Sequence, residues 1–152
     1  AAGFLRHTSK PIATSLTRLE GPAIKEATKN FKNIMGFMGD KKYSYPDNLA
    51  ADVLQKGLQF TYLRDEIYCQ LMKQLTANPD MTSSSKGWLL MMLCLKTFPP
   101  QSVANHLQMF FRTAAPGNKA QALRDQCYNI QYAELRPMPP SIDEIGFMKR
   151  ET

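Results

Sequence analysis

The 152-residue sequence predicts an all-α protein, a single compact bundle of about seven helices. Three observations predict it. Apolar residues recur at i, i+3, i+4 and i+7 along most of the chain. Pro, Gly and Ser punctuation cuts that pattern into helix-sized stretches. No pair of alternating apolar and polar runs offers one strand to another. Composition agrees, with 43% hydrophobic and 21% charged residues, the ordinary globular range. A chain of this length buries roughly 70% of the surface its unfolded form exposes, so its core needs neither disulfide nor metal.

Taken in order, Pro11 to Leu19 reads as an extended or single-turn segment anchored by Ile12, Leu16 and Leu19. Gly21-Pro22 starts a helix, because proline at the first helical position lacks only an N–H that would go unpaired there anyway. That helix runs to about Met38 and stops at Gly39, a natural left-handed cap. Ile24, Ala27, Phe31, Ile34, Met35 and Met38 form its apolar side, and Lys25, Lys29 and Lys32 fall at i, i+4, i+7 on another. A polar loop from Asp40 to Pro46 leads to a helix of roughly Asp47 to Gln59, carrying Leu49, Val53, Leu54 and Leu58. The next spans about Tyr62 to Ala77, with Leu63, Ile67, Leu71 and Leu75 in one stripe, and Asn78-Pro79 ends it.

Ser83, Ser84 and Ser85 offer N-caps to a run from Gly87 to Leu95 that is apolar on every side. It is too short to cross a bilayer, and its Leu and Met content disfavours a strand, so it is expected to be the buried central helix. Pro99-Pro100 breaks the chain. Ser102 to about Thr113 then places Val103, Leu107, Phe110 and Phe111 at helical spacing. After the Pro116-Gly117-Asn118 turn, a helix from Lys119 to about Glu134 points Ala120, Leu123, Cys127 and Ile130 inward. Finally Ser141 and Glu144 form a capping box for a short last helix.

Constellations that carry chemistry are lacking in the sequence. His7 and His106 have neither HxxxH nor cysteine partner spacing, so no metal site is expected, and no nucleotide-binding glycine motif occurs. Adjacent Asp65 and Glu66 point about 100° apart on a helix and do not converge as an acid–base pair. Arg64 and Asp65 read instead as a structural polar network, with Arg64 able to pair bidentately with a carboxylate of a neighbouring segment. Cys69, Cys94 and Cys127 are an odd count at wide spacing, which points to a reducing compartment and to inert thiols on hydrophobic stripes. The methionines are core filler first, although Met35, Met91, Met92 and Met109 would make a peptide-adaptable groove if they shared a surface. No catalytic residue and no cofactor is expected.

Charge is the remaining signal. The formal net charge is +6, and residues 1–42 hold eight basic residues against three acidic ones. The other 110 residues hold eleven against ten. Such local asymmetry speaks of partners, not of fold. Lysines dominate the stripe, and neither RNP-type aromatics nor a base-reading helix accompanies them, so nucleic acid is not expected.

The stretch Leu63-Arg64-Asp65-Glu66-Ile67-Tyr68-Cys69-Gln70-Leu71-Met72-Lys73-Gln74, with Thr76-Ala77-Asn78-Pro79 behind it, resembles the signature of the MyTH4 (myosin tail homology 4) domain. Lys86-Gly87-Trp88-Leu89-Leu90, Leu93-Cys94-Leu95 and Phe98-Pro99-Pro100 continue the resemblance. Lys10-Pro11-Ile12 is similar to the family's opening, and Pro140 to Ile145 to its closing segment. The likeness covers about residues 4–147, with 148–152 expected as a tail. Leu75 departs from it, standing where a small hydroxyl residue is common.

The resemblance implies a helical bundle with superhelical arrangement and a non-catalytic role. It implies a cytoplasmic, cytoskeleton-associated module from an unconventional myosin tail, a plant calmodulin-binding kinesin, a Rho GTPase-activating protein or an adaptor, often followed by a FERM domain. Any ATPase or GTPase-activating activity would then lie elsewhere in the parent protein. The implied partners are microtubules or an acidic cargo peptide, and the alternative is a protein-interaction module that does not touch microtubules. Taken with the charge asymmetry, Lys25, Lys29 and Lys32 are the leading candidates for contacting an acidic tubulin surface, with Lys41 and Lys42 secondary.

Overall fold

A computed structural model describes residues 6–151; among them are seven α-helices, one 3₁₀ turn and no strand. The helices are α1 (Pro22–Met38), α2 (Pro46–Gln59), α3 (Arg64–Leu75), α4 (Met81–Leu95), α5 (Ala104–Ala114), α6 (Gly117–Ile130) and α7 (Ile142–Glu151), with the 3₁₀ turn at Thr61–Leu63 leading into α3. Residues 4 and 5, at the start of the expected domain, and residue 152 lie outside the described range.

The first helix begins and ends where its sequence dictates. Gly39 takes the left-handed conformation (φ 88°), and its N–H and that of Asp40 donate back to the carbonyls of Gly36 and Met35. This closes α1 with a Schellman turn. From Gly87 to Leu95 every residue of α4 is buried except half-buried Met92. The helix contacts α1, α2, α3, α6 and α7, as expected of an element apolar all round. Gly87 permits a close approach to α3 and α1, since a Cβ there would stand 2.7 Å from both Leu75 Cδ2 and Met38 Cε. Trp88 is buried against α5, stacked on Phe110 with ring centres 5.5 Å apart.

Several boundaries differ from expectation, each for a local reason. The third helix is shorter at both ends. It opens from the 3₁₀ turn, and it stops at Leu75 because Thr76 is extended and Ala77 adopts a positive φ of 56° ahead of Asn78-Pro79. The fourth helix is capped by Asp80 and not by the serines. The Asp80 carboxylate accepts from the N–H groups of Thr82 and Ser83, which places Ser83 to Ser85 inside the first turns. The sixth helix ends at Ile130 and not near Glu134; the chain tightens there, with Gln131 and Tyr132 donating to carbonyls three residues back. The seventh continues through Glu151, so residues 148–151 extend a helix: Met148 packs on the core and Lys149 Nζ lies 2.8 Å from Asp47 Oδ1.

Met35 and Met91 are fully buried and belong to the core, which removes them from any groove. Of the four methionines grouped on sequence, only Met109 is exposed.

Candidate functional site

The Arg64-Asp65-Glu66 motif at the start of α3 faces three directions at once and ties down three separate parts of the chain. Arg64 does not meet a carboxylate as its sequence context suggested. Its Nε and Nη2 donate to the carbonyls of Gly57 and Leu58, at 2.7 and 3.0 Å, closing the open C-terminal end of α2. Its guanidinium also lies 6.0 Å from the Phe98 ring centre, and burial pulls its pKa below the usual arginine value. Asp65 accepts from the N–H groups of Gln101 and Ser102, at 2.7 and 3.0 Å, and so fixes the segment that enters α5. Glu66 is fully buried and accepts from Leu16 N, Thr17 N and the Thr17 hydroxyl, with Gln70 Nε2 donating to it as well.

The same face of α3 continues the hold on the N-terminal segment. Gln70 bridges to α1, donating to the Ala27 carbonyl and accepting from Asn30 Nδ2. Gln74 reads Thr8 as a second strand would, accepting from its N–H at 3.1 Å and donating to its carbonyl at 2.9 Å. Lys73 Nζ reaches the Arg6 carbonyl at 2.8 Å, and burial lowers its pKa. Asp40 accepts from Gln74 and Ser83 and lies 3.1 Å from His7 Nε2. The residues from Arg6 to Thr17 thus form a strap without regular structure, held mainly through its backbone. Sequence inspection found its apolar anchors Ile12 and Leu16, both half-buried, but not Glu66, Gln74 and Asp40, its polar fasteners.

None of this is arranged for chemistry. Asp65 and Glu66 engage different segments, and no group of His, Cys, Asp or Glu able to hold a metal occurs among the described residues. Burial pushes the Cys69 and Cys127 thiols up to about 11 and Cys94 higher still, the reverse of an activated nucleophile. Tyr68 is buried with its hydroxyl donating to the Phe98 carbonyl, and burial holds its pKa well above the usual value.

The lysines stand apart from this network. Lys25, Lys29 and Lys32 are all exposed on one side of α1, and none makes an ion pair among the described residues. At 1.5 Å per residue they span about 10 Å along the helix. The neighbouring Glu26 is turned aside and pairs with Lys56 of α2 at 3.4 Å. Lys41 is half-buried and Lys42 exposed; both follow the Gly39 cap, at the end of α1 opposite Lys25.

Comparison with known proteins gives this arrangement a family. Residues 50–146 match the family model described as the MyTH4 domain. The high molecular weight form of myosin-1 from Acanthamoeba castellanii is 45% identical over 144 residues, which is 94% of this chain and 9% of that protein. The kinesin-like protein KIN-14E of Arabidopsis thaliana is 32% identical over 114 residues, 69% of this chain and again 9% of the relative. Among solved structures, the C-terminal MyTH4-FERM domain of human myosin 7b, in complex with the harmonin-a PDZ3 domain, superposes with a TM-score of 0.87 at 26% identity. That match covers 95% of this chain and 32% of the other. The chain therefore spans less than a tenth of either curated relative.

Proposed function

The chain belongs to the MyTH4 domain family, non-catalytic interaction modules of myosin tails, and from that premise we propose that it docks on acidic cytoskeletal protein, microtubules foremost, through the lysine face of α1. One observation carries the proposal: Lys25, Lys29 and Lys32 form an exposed row with no ion pair among the described residues, on a helix whose other side is anchored in the core. A row of mobile ammonium groups suits an acidic protein surface, where contact is diffuse and steered by charge. Lys41 and Lys42, just past the Gly39 cap, are secondary contacts.

Kinship with a kinesin-like protein as well as with myosins supports a cytoskeletal partner and a cytoplasmic, cytoskeleton-associated setting. The MyTH4-FERM neighbour supports a FERM domain adjoining this one in the whole protein, and its PDZ complex supports protein partners in general. Among the described residues no helix is long and apolar enough to cross a membrane.

Co-sedimentation tests the proposal. Reversing Lys25, Lys29 and Lys32 to Glu is expected to lower microtubule binding at least tenfold while leaving the helical circular dichroism unchanged. Undiminished binding by the variant would remove the stripe from consideration. Absence of binding by the wild-type domain would leave the interaction module without a microtubule role.

A further inference from the structure

A second surface lies between α3 and α5, an open cleft of about 510 Å³. Cys69 and Met72 of α3 line it, with Thr76 just past that helix, and His106, Met109 and Phe110 line it from α5. The two helices are tied together at their beginnings, where Asp65 holds the N–H groups of Gln101 and Ser102, and the cleft opens beyond that tie. Its floor is firm, because Phe110 is stacked on buried Trp88. Its wall is not. Met109 is 67% exposed, a large, flexible apolar side chain standing in water on a helix that buries Leu107 and Phe111 on its other side.

None of the side chains lining the cleft is acidic. The only acids on α3 are Asp65 and Glu66 in its first turn, and both are engaged by backbone N–H groups. The fifth helix contains no acid and carries exposed Arg112 beside Met109 and Thr113. The strap passes the far end of the cleft, where His7 N–H donates to the Thr76 carbonyl, but its Arg6 and Lys10 line a neighbouring pocket together with Asp40 and Asp80. The surface is thus an apolar trough free of acids, with the exposed Arg112 beside it at the C-terminal end of α5.

We propose that this cleft receives a short amphipathic helix of a partner protein, its apolar side on Met72, Met109 and Phe110 and its acidic side toward Arg112. An apolar row at i, i+3, i+4, i+7 fits a trough between two helices, and methionine walls adapt to its side chains. Charge complementarity selects an acidic helix over a basic one and sets its direction. The inference rests on the interaction-module reading and not on the α1 stripe, which belongs to a different helix.

The probe is a synthetic peptide of about 18 residues with Leu at those positions and Glu at the others, set against a counterpart with Lys for Glu. Methionine methyl NMR reads its binding. The Met72 and Met109 methyls are expected to shift and saturate, with fully buried Met35 unmoved. The Lys peptide is expected to bind at least tenfold more weakly. Met109→Glu, a change at an exposed position, is expected to cost at least tenfold in peptide affinity with circular dichroism intact. It is also expected to leave microtubule co-sedimentation at the wild-type level, while the α1 triple reversal keeps peptide binding, so the two surfaces fail separately. Silent Met72 and Met109 methyls or equal binding of both peptides would overturn the proposal. So would loss of peptide binding in the α1 triple, or concentration-dependent shifts of these methyls without peptide, the mark of a second copy in the cleft.

Discussion

Thr17 donates to Glu66 twice, from its backbone N–H at 2.7 Å and from its hydroxyl at 2.6 Å, across 49 residues of sequence. With Leu16 N and Gln70 Nε2 also donating, the Glu66 carboxylate is surrounded by hydrogen-bond donors, each of them uncharged. That arrangement attaches the strap to the bundle. It predicts that Glu66→Ala costs about 2–3 kcal/mol, because the Leu16 and Thr17 amides lose their acceptor. Urea unfolding measures the loss. Hydrogen exchange at Leu16 and Thr17 is expected to accelerate further than at α4; unchanged protection there would show that the strap is held by something else.

Gly57 faces the Phe98 ring, and a Cβ at that position would fall inside contact distance of three of its ring carbons. Gly57→Ala gains about 1 kcal/mol of helix propensity but overpacks a rigid ring at a cost of about 1–3 kcal/mol. A net loss of roughly 1 kcal/mol is expected by chemical denaturation. Adding Phe98→Leu is expected to make the alanine less harmful than it is alone, and strict additivity in that double-mutant cycle would contradict the contact.

Ser141 and Glu144 exchange hydrogen bonds at the start of α7, with Ser141 N donating to Glu144 Oε1 and Glu144 N to Ser141 Oγ. The hydrogen bond from Arg136 comes first, and that from the Ser141 backbone second, in holding the Glu144 carboxyl below its ordinary pKa. A lowered folded-state pKa gives stability that is present above the ordinary glutamate value of about 4.3 and is lost as pH falls through the folded value. The wild type is therefore expected to exceed Glu144→Gln in Tm at pH 7, by an amount that shrinks once the pH falls below about 4. Ser141→Ala is expected to cost about 1 kcal/mol at neutral pH.

Burial raises Cys69 to about 11 even though it lines the α3–α5 cleft and is only half-buried. At pH 8 its thiolate fraction is then about a hundredfold below that of a thiol at the ordinary value of about 9. A disulfide reagent at that pH is expected to leave all three cysteines unmodified in the folded protein and to titrate all three in denaturant. Rapid modification of Cys69 in the folded state would contradict it.

What was legible in the sequence was local. Pro22 and Gly39 bound α1, and the capping box that Ser141 and Glu144 spell out forms as read, because each device is complete within four or five residues. The apolar α4 was legible too, since nine consecutive residues without a polar face have only the core to occupy. The strap was not. Its fasteners act across distances such as the 66 residues between Thr8 and Gln74, and a glutamine on a helix face carries no mark of what it will read. Ser83 to Ser85, expected as caps of α4, lie inside it instead: Asp80 stands one position before Met81 and its carboxylate takes the capping role. Exposure of the lysine row followed from helical period alone, whereas the α3–α5 cleft needed the packing of two helices that are not neighbours in sequence.

Net charge and charge position are separable, and that separation tests the central claim most directly. Lys25, Lys29 and Lys32 reversed to Glu should be compared in microtubule co-sedimentation with a control reversing Lys96, Lys119 and Arg150, which changes the net charge equally away from α1. The stripe variant is expected to lose at least tenfold in affinity while the control stays within about twofold of wild type. Equal losses in both would reduce the effect to bulk charge, and no loss in the stripe variant would contradict docking through α1.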